Sequence, residues 1–275
     1  MISSKSYGLQ NETRQYLRRL YAYGKELAGT DVNDVDNFIK GLKQLNLWQN
    51  IVCWPMRSIH NIGTGSRVLS MGGYGTFDAT LLNSATWSND GVNRVTAGGD
   101  LFSTPVRELG VAPISHGAVL KNATDLGNNV GYWFTAGINV NGRQFGIGNS
   151  GSLTAQFLPT FVGLWPPSYH SVITNNHSGG AATPFTRTSR HYFSIRLTTG
   201  LTGRFTLNSN FKNQDSANNN WNTSNPQFVR FGAYNTALNL TASFVFLSNS
   251  LVTDAQDSAM YLLLKQTIGK GLGLP

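Results

Sequence analysis

Apolar residues before residue 60 recur at three- and four-residue spacings, which is typical of amphipathic helices. One helix is predicted over residues 13–27 and a second after Thr30 and Asp31. Their apolar stripes are Tyr16, Leu17, Leu20, Tyr23 and Leu27, then Val35, Phe38, Ile39, Leu42, Leu45 and Trp48. Such a hairpin is too small to hold a hydrophobic core alone, so we expect it to dock on another surface.

From about residue 67 the pattern changes to short runs that alternate apolar and polar positions, as antiparallel strands do. The clearest run, 191–198, places Tyr192, Ser194 and Arg196 on one side, and it turns through 199–203 into a second run over 204–208. Similar strands are predicted at 130–138, 144–147, 228–233 and 241–247. Short strands separated by Gly, Asn, Ser and Thr indicate a sandwich or barrel.

A last helix is predicted after Thr253 and Asp254, with an apolar stripe that includes Met260 and Leu264, and it ends before Gly269. The predicted fold class is therefore mainly β, an antiparallel sandwich with an N-terminal helical hairpin and a C-terminal helix. Residues 1–60 are expected to form a helical docking segment. Residues 61–275 are expected to form the sandwich and its closing helix.

The amino-acid composition excludes several classes of protein. The chain has 275 residues, of which 40% are hydrophobic, 11% aromatic and only 12% charged. This content excludes intrinsic disorder, and the 30 glycines follow no collagen period. The apolar runs are too short to cross a bilayer and the N-terminus lacks an apolar signal core, so we expect no membrane partner and no secretion signal.

Charge and cysteine content also limit the possible partners. Cys53 is the only cysteine, so neither an intrachain disulfide nor a thiolate zinc site can form. The formal net charge of +8 could favour an anionic partner. Lys and Arg are scattered, however, with no run longer than Arg18 and Arg19, so we expect no nucleic-acid partner.

The last third of the chain resembles the concanavalin A-like lectin/glucanase superfamily, especially its laminin-G-type members. The resemblance lies in the hairpin HYFSIRLTTGLTGRFTLNSN, the strand FVRFGAYN, and the final strand, cap and helix ASFVFLSNSLVTDAQDSAMYLLLK. It implies an antiparallel jelly-roll sandwich. The segments VDNFIKGLKQLNLWQNI and LKQTIGKGLGLP are similar to tailed-bacteriophage structural proteins that join a helical segment to such a sandwich.

The superfamily includes glycosidases, so we ask whether the sequence contains a suitable pair of catalytic carboxyl groups. Glycoside hydrolysis generally uses two carboxyl groups about 5 to 10 Å apart, which the glucanase relatives carry on one strand. Glu108 has no second carboxyl within four residues, and Asp215 is the only acidic residue between 126 and 253. The sequence therefore predicts no catalytic residues and no enzyme.

No other chemistry stands out from residue spacing. The five histidines show no metal-binding spacing and are interpreted as ordinary core or surface residues. A Ser-His-Asp triad lacks the Gly-x-Ser-x-Gly elbow that would support it. A calcium site would need several clustered carboxylates. The Asn-rich segment 213–225, predicted to be a loop, contains only one, Asp215. We expect neither a metal nor a cofactor.

Binding is the function that remains. Exposed aromatic rings stack on a sugar's apolar face, and neighbouring polar groups bond its hydroxyls. The first candidate is Trp221 with Asn220, Asn222 and Asp215, in a polar loop where the ring either faces a ligand or folds inward as an anchor. The second is Trp165 with Tyr169 and His170, which could instead close the sandwich edge.

Our first hypothesis is a non-enzymatic structural protein of a bacteriophage virion, of tail-fibre, head-fibre or capsid-decoration type, with the sandwich facing outward. Its expected partners are other virion proteins, sister chains in a homotrimer, and a host-surface glycan. The residues expected to dock on the virion or on sister chains are Tyr16, Leu20, Phe38, Leu42 and Trp48. The alternatives are a free carbohydrate-binding lectin and a glycoside hydrolase.

Overall fold

The fold is taken from a computed structural model of the chain. The residues that the structure describes are 8–82, 84–94, 99–104, 114–122, 132–136, 143–149, 159–163, 171–174, 190–197, 203–208, 210–214, 229–233 and 240–275.

The three predicted helices are confirmed. They are α1 (Asn11–Ala22), α2 (Gly29–Gln44) and α3 (Asp254–Gln266), and a short 3-10 helix (Trp48–Asn50) follows α2. Helix α3 starts after Thr253, as the sequence predicts, and the structure adds a capping box in which Thr253 and Gln256 bond each other's backbone amides. Helix α1 ends earlier than predicted, because the chain turns through Gly24 at a φ of +73°. Among the described residues, no helix has the length and apolar character needed to span a bilayer.

The described residues also contain short strands along most of the chain, numbered here in chain order. They are β1 (Ile51–Pro55), β2 (Arg67–Val68), β3 (Ala79–Leu81), β4 (Thr86–Ser88), β5 (Gly91–Arg94), β6 (Gly99–Thr104), β7 (Ile114–Asn122), β8 (Tyr132–Ala136), β9 (Arg143–Asn149), β10 (Pro159–Gly163), β11 (Ser171–Thr174), β12 (His191–Leu197), β13 (Gly203–Leu207), β14 (Asn210–Gln214), β15 (Val229–Ala233) and β16 (Leu240–Ser248).

These strands form two eight-stranded sheets. The first, which we name the helix-bearing sheet, has the order β14-β13-β12-β7-β16-β5-β4, and β1 also pairs with β16. The second has the order β11-β10-β9-β8-β15-β6-β3-β2. Every strand pairing described is antiparallel, so the predicted antiparallel architecture is confirmed in this coarser form.

Helices α2 and α3 cover one face of the helix-bearing sheet, and α1 packs beside α2 in the same buried cluster. Phe38 on α2 meets Phe244 on β16 edge-to-face, with ring centroids 5.5 Å apart. Tyr192 on β12 stacks near Phe246 and also contacts Tyr261 on α3. These residues belong to one buried apolar cluster that reaches from α1 to the C-terminal tail.

The opposite face of the helix-bearing sheet is buried as well. In the β1–β16 pair, Cys53 lies opposite Phe246, and both belong to the cluster under the helices. The neighbouring pair, Val52 and Leu247, points the other way because side chains alternate along a strand, and it is equally buried. The sheet is therefore covered on both faces where β1 and β16 meet.

The five residues predicted to dock on the virion or on sister chains occupy this intramolecular core, which corrects that expectation. The five, at most 7% exposed, are Tyr16, Leu20, Phe38, Leu42 and Trp48. The hairpin does need another surface to bury its apolar stripe, but its own chain supplies that surface. The core also extends across the boundary predicted at residue 60, since β1 precedes that boundary and pairs with β16.

Polar side chains fix helix α3 to the sheet. The Asp257 carboxylate is fully buried and accepts hydrogen bonds from the Tyr192 hydroxyl at 2.6 Å and the Ser194 hydroxyl at 2.8 Å. Next to them on β12, Arg196 pairs with Asp254 at the first residue of α3. The polar side of strand 191–197, which the alternation identifies correctly, therefore faces a helix rather than solvent.

Candidate functional site

The predicted sugar-binding residues lie outside the described residues. This applies to Asp215, Asn220, Trp221 and Asn222 in the first loop and to Trp165, Tyr169 and His170 in the second. The structure does describe the strands that these segments connect. Residues 164–170 join β10 to β11, which pair with each other at the edge of the second sheet. Residues 215–228 join β14, an edge strand of the helix-bearing sheet, to β15 in the second sheet.

A cluster of two carboxylates and one imidazole is found where sequence spacing predicts none. Asp31 and Asp34 lie one helical turn apart near the start of α2, so both side chains emerge from the same helix face. His60 lies in the turn after β1. One possible ligand atom from each of the three residues lies within 4.8 Å of the other two.

The imidazole of His60 is buried and has no hydrogen-bond partner. Its side chain is 1% exposed, and both ring nitrogens lack a partner in the described part of the chain. Its Nε2 lies 3.9 Å from Oδ1 of Asp31, which is too long for a hydrogen bond. Buried polar groups are nearly always paired, so an unpaired imidazole facing a carboxylate needs an explanation.

The backbone around His60 is held firmly. The Tyr16 hydroxyl donates to the His60 carbonyl oxygen at 2.8 Å, which ties the turn to α1. The neighbouring Asn61 side chain donates to the carbonyls of Pro55 and Leu69 and accepts from the amide of Leu69. The imidazole is thus placed by a fixed turn, whereas the two aspartates are partly exposed on α2.

The electrostatics around the cluster keep the imidazole neutral. Burial lowers the pKa of His60 to about 3, and the positive charges of Arg57 and Lys25 act in the same direction. Burial also raises the pKa of Asp34, while Lys270 opposes that effect. The Arg57 guanidinium donates its hydrogen bonds to the backbone carbonyls of Asn89, Ile268 and Lys270. A neutral imidazole beside two carboxylates is chemically a ligand set for a divalent cation.

The sequence interpretation of these residues was incomplete. From the sequence, Asp31 marks the start of the second helix, and the histidines are interpreted as ordinary core or surface residues. The histidine lies far along the chain from the aspartates, and only the packing of α2 beside the turn after β1 brings them together. The one sequence signal for this group is the Asp-x-x-Asp spacing at the helix start, which is common on helices without a ligand.

A second polar group centres on Asp78 and joins α1 to the segment before β3. Arg19 and Arg67 both pair with this carboxylate, and the Ser70 amide also donates to it. Burial alone would raise the pKa of Asp78. The hydrogen bonds from Ser70, Arg19 and Arg67 outweigh that effect and hold the pKa below its ordinary value.

No family model matches the chain, and no curated protein matches its sequence. Solved structures with a similar fold do exist. The sialidase of Trypanosoma rangeli in complex with a difluoro-KDN has a TM-score of 0.55 at 12% identity, over 87% of this chain and 40% of that one. The structure of the same sialidase with sialic acid has a TM-score of 0.54 at 11% sequence identity. That match covers 86% of this chain and 39% of the sialidase chain.

A botulinum neurotoxin serotype D binding domain has a similar fold as well, with a TM-score of 0.56 at 9% identity. The match covers 79% of this chain and 52% of that structure. The chain therefore spans about two fifths of the sialidase chain and about half of the neurotoxin chain. At these identities the likeness is one of fold.

The sialidase matches overturn the expectation that the chain is no enzyme, because structures that share its fold include enzymes. A count of acidic residues tests only mechanisms that use a pair of carboxyl groups, whereas sialidases are an exception to that rule and use a tyrosine nucleophile. A shortage of carboxylates therefore excludes one mechanism rather than catalysis as a whole.

Proposed function

We propose that this chain is a lectin-like carbohydrate-binding module with a jelly-roll sandwich. The observation that carries the proposal is the pair of antiparallel eight-stranded sheets, an architecture shared in fold with a sialidase that has sialic acid bound and with a neurotoxin binding domain. Rigid sheets carry long connecting loops in which binding residues are commonly placed. Two such connections in this chain contain tryptophan next to polar residues.

The binding site is assigned to the loop that joins β14 to β15. Trp221 supplies an aromatic face for a sugar ring, while Asn220, Asn222 and Asp215 supply donors and acceptors for its hydroxyl groups. The connection between β10 and β11, with Trp165, Tyr169 and His170, is the second subsite. Because aromatic stacking depends on one ring, a single substitution should remove most of the affinity.

The preferred ligand is an acidic glycan. The chain carries a net charge of +8, which attracts anionic ligands over long range. Sialic acid, the ligand bound to the structurally similar sialidase, is an acidic sugar. Salt should therefore weaken binding of a sialylated glycan more than binding of its neutral counterpart.

The biological setting that we propose is the virion of a tailed bacteriophage, as the sequence resemblance suggests. The module would stand outward on a tail fibre, head fibre or capsid and bind a host-surface glycan. It would assemble as a homotrimer and contact other virion proteins. Since the α1–α2 stripe is buried in the chain's own core, these contacts must use other surfaces. Multi-angle light scattering on tag-free protein tests the trimer, and antibody labelling of purified particles tests the location.

The experiment that tests carbohydrate binding is a glycan array probed with tag-free protein. We expect wild type to bind acidic glycans and Trp221→Ala to lose at least about 90% of the signal, because the stacking face is gone. Tyr21→Ala is the matched control, since Tyr21 is an exposed aromatic residue on α1 that belongs to neither candidate site. Absence of binding to any glycan, or equal binding by the Trp221 variant, would contradict the proposal.

Two further samples, purified phage particles and the supernatant of the glycan incubation, separate two related functions. A free lectin would bind the array but would be missing from purified phage particles. A glycosidase would release sugar from the glycan on prolonged incubation, which mass spectrometry of the supernatant detects. Each outcome is read from a different sample, so binding, location and turnover are decided independently.

A further inference from the structure

We infer that Asp31, Asp34 and His60 form a binding site for a divalent transition-metal ion of the Zn²⁺ type, which ties helix α2 to the turn after β1. None of its three residues is among those assigned to carbohydrate. It stands on the unpaired, 1% exposed imidazole of His60, which faces the carboxylate of Asp31.

The distances suit a metal better than a direct hydrogen bond. Two ligands of one tetrahedral zinc ion, each bonded at about 2.0–2.2 Å, lie about 3.4 Å apart. The separation between Nε2 of His60 and Oδ1 of Asp31 is 3.9 Å, about 0.5 Å longer than that. All three ligand atoms lie within 4.8 Å of one another, so the carboxylates must move inward by at most about 1.4 Å to complete the site.

The ligands are arranged so that this movement is possible. His60 is fixed by the Tyr16 hydrogen bond and the Asn61 turn. Asp31 and Asp34 are partly exposed on the first turns of α2, where a change of side-chain rotamer costs little. A fixed buried imidazole and two adjustable carboxylates can therefore converge on one ion, with solvent reaching the remaining coordination positions from the exposed side.

Charge and ligand chemistry select the kind of ion. The two carboxylates balance the charge of a divalent cation, while the nearby positive charges of Lys25, Arg57 and Lys270 weaken its binding relative to a site without them. An imidazole ligand favours zinc and its neighbours, whereas calcium needs six to eight oxygen ligands. We therefore expect Zn²⁺ to bind more tightly than Mn²⁺, and Ca²⁺ to bind weakly at most.

Isothermal titration calorimetry with ZnCl₂, on tag-free full-length protein stripped with EDTA, tests the site. Wild type should bind one zinc ion with high affinity, and its melting temperature should rise with zinc. Asp34→Asn should lower the affinity by about 10-fold or more, because a charged ligand is lost from a partly exposed position that tolerates the change. His60→Gln should lower it similarly.

Asp36→Asn is the matched control. It removes the same charge from the same helix, while its amide oxygen can still accept the bonds from Gln10 and Thr13. It should bind zinc like wild type. Failure of wild type to bind Zn²⁺ would overturn the inference, as would binding by Asp34→Asn at wild-type affinity. Because Trp221→Ala should keep the zinc site, this result is distinguishable from a failure of the carbohydrate proposal.

Discussion

At the residue scale, the described structure depends on a few buried polar groups with several partners each. Asp257 and Asp78 are examples, since each carboxylate accepts hydrogen bonds from more than one donor. Removing a shared acceptor takes away two or more hydrogen bonds at once, which costs more than the loss of one hydrogen bond. These residues therefore give sharper tests than substitutions of single apolar contacts.

Asp257→Ala should destabilise the protein by about 2–4 kcal/mol, because the hydroxyls of Tyr192 and Ser194 both lose their acceptor. Tyr192→Phe removes one of the two bonds and should cost about 1 kcal/mol. Urea denaturation followed by tryptophan fluorescence measures both. Equal losses in the two variants would show that the shared carboxylate is not the controlling group.

Asp78 should make stability depend on acidity. The folded state lowers the pKa of this carboxyl, so its contribution is fully present above the ordinary value near pH 4 and is lost as pH falls through the lower folded pKa. Asp78→Asn should thus be less stable than wild type by about 1–2 kcal/mol at pH 7. The difference should shrink below about pH 4.

Denaturant unfolding of wild type and Asp78→Asn across this pH range gives the measurement. Glu26→Gln is the control, since Glu26 is exposed and exposed charges contribute little. A gap between wild type and Asp78→Asn that stays constant down to pH 2.5 would contradict the role given to the Asp78 hydrogen bonds.

At the scale of elements, the sequence predicts those helices and strands in which apolar residues recur at a regular spacing. The existence of all three helices, the β12–β13 hairpin and the start of α3 after Thr253 are predicted correctly, although α1 ends at Ala22 rather than Leu27. Strand β1 was missed because all five of its residues are buried, so it shows no alternation of apolar and polar positions. The Asp31, Asp34 and His60 cluster was missed because tertiary packing, not spacing, assembles it.

The centre of the helix-bearing sheet depends on a close approach at Gly117 of β7. A Cβ there would lie 2.3 Å from the Phe193 carbonyl oxygen and 2.4 Å from the Phe246 ring. Gly117→Ala should therefore destabilise the protein by about 2–3 kcal/mol, because the neighbouring backbone cannot move away. Thermal unfolding by circular dichroism measures the loss.

Gly29→Ala is the matched control for this prediction. A Cβ at Gly29, the first residue of α2, meets no atom within 4 Å. Alanine also favours a helix more than glycine does, so this variant should be as stable as wild type or slightly more stable. A Gly117→Ala variant that melts together with Gly29→Ala would show that β7 and β12 do not approach as closely as described.

At the scale of the whole molecule, composition and alternation predicted the antiparallel sheets but not how the parts combine. The helical hairpin is part of the core, because the apolar residues of α1 and α2 lie in one buried cluster with Phe244 and Phe246 of the chain's own sheet. The exclusion of an enzyme failed because acidic residues were counted against a single mechanism. Surface charge and loop composition remain the sequence features that point to a ligand.

Carbohydrate binding is tested most directly by calorimetric titration of tag-free protein with a sialylated oligosaccharide and with its neutral counterpart. We expect saturable binding of the acidic sugar with a stoichiometry near one, weaker binding of the neutral sugar, and loss of binding in Trp221→Ala. Heats equal to dilution for both sugars at millimolar concentration, from protein shown to be folded, would contradict it.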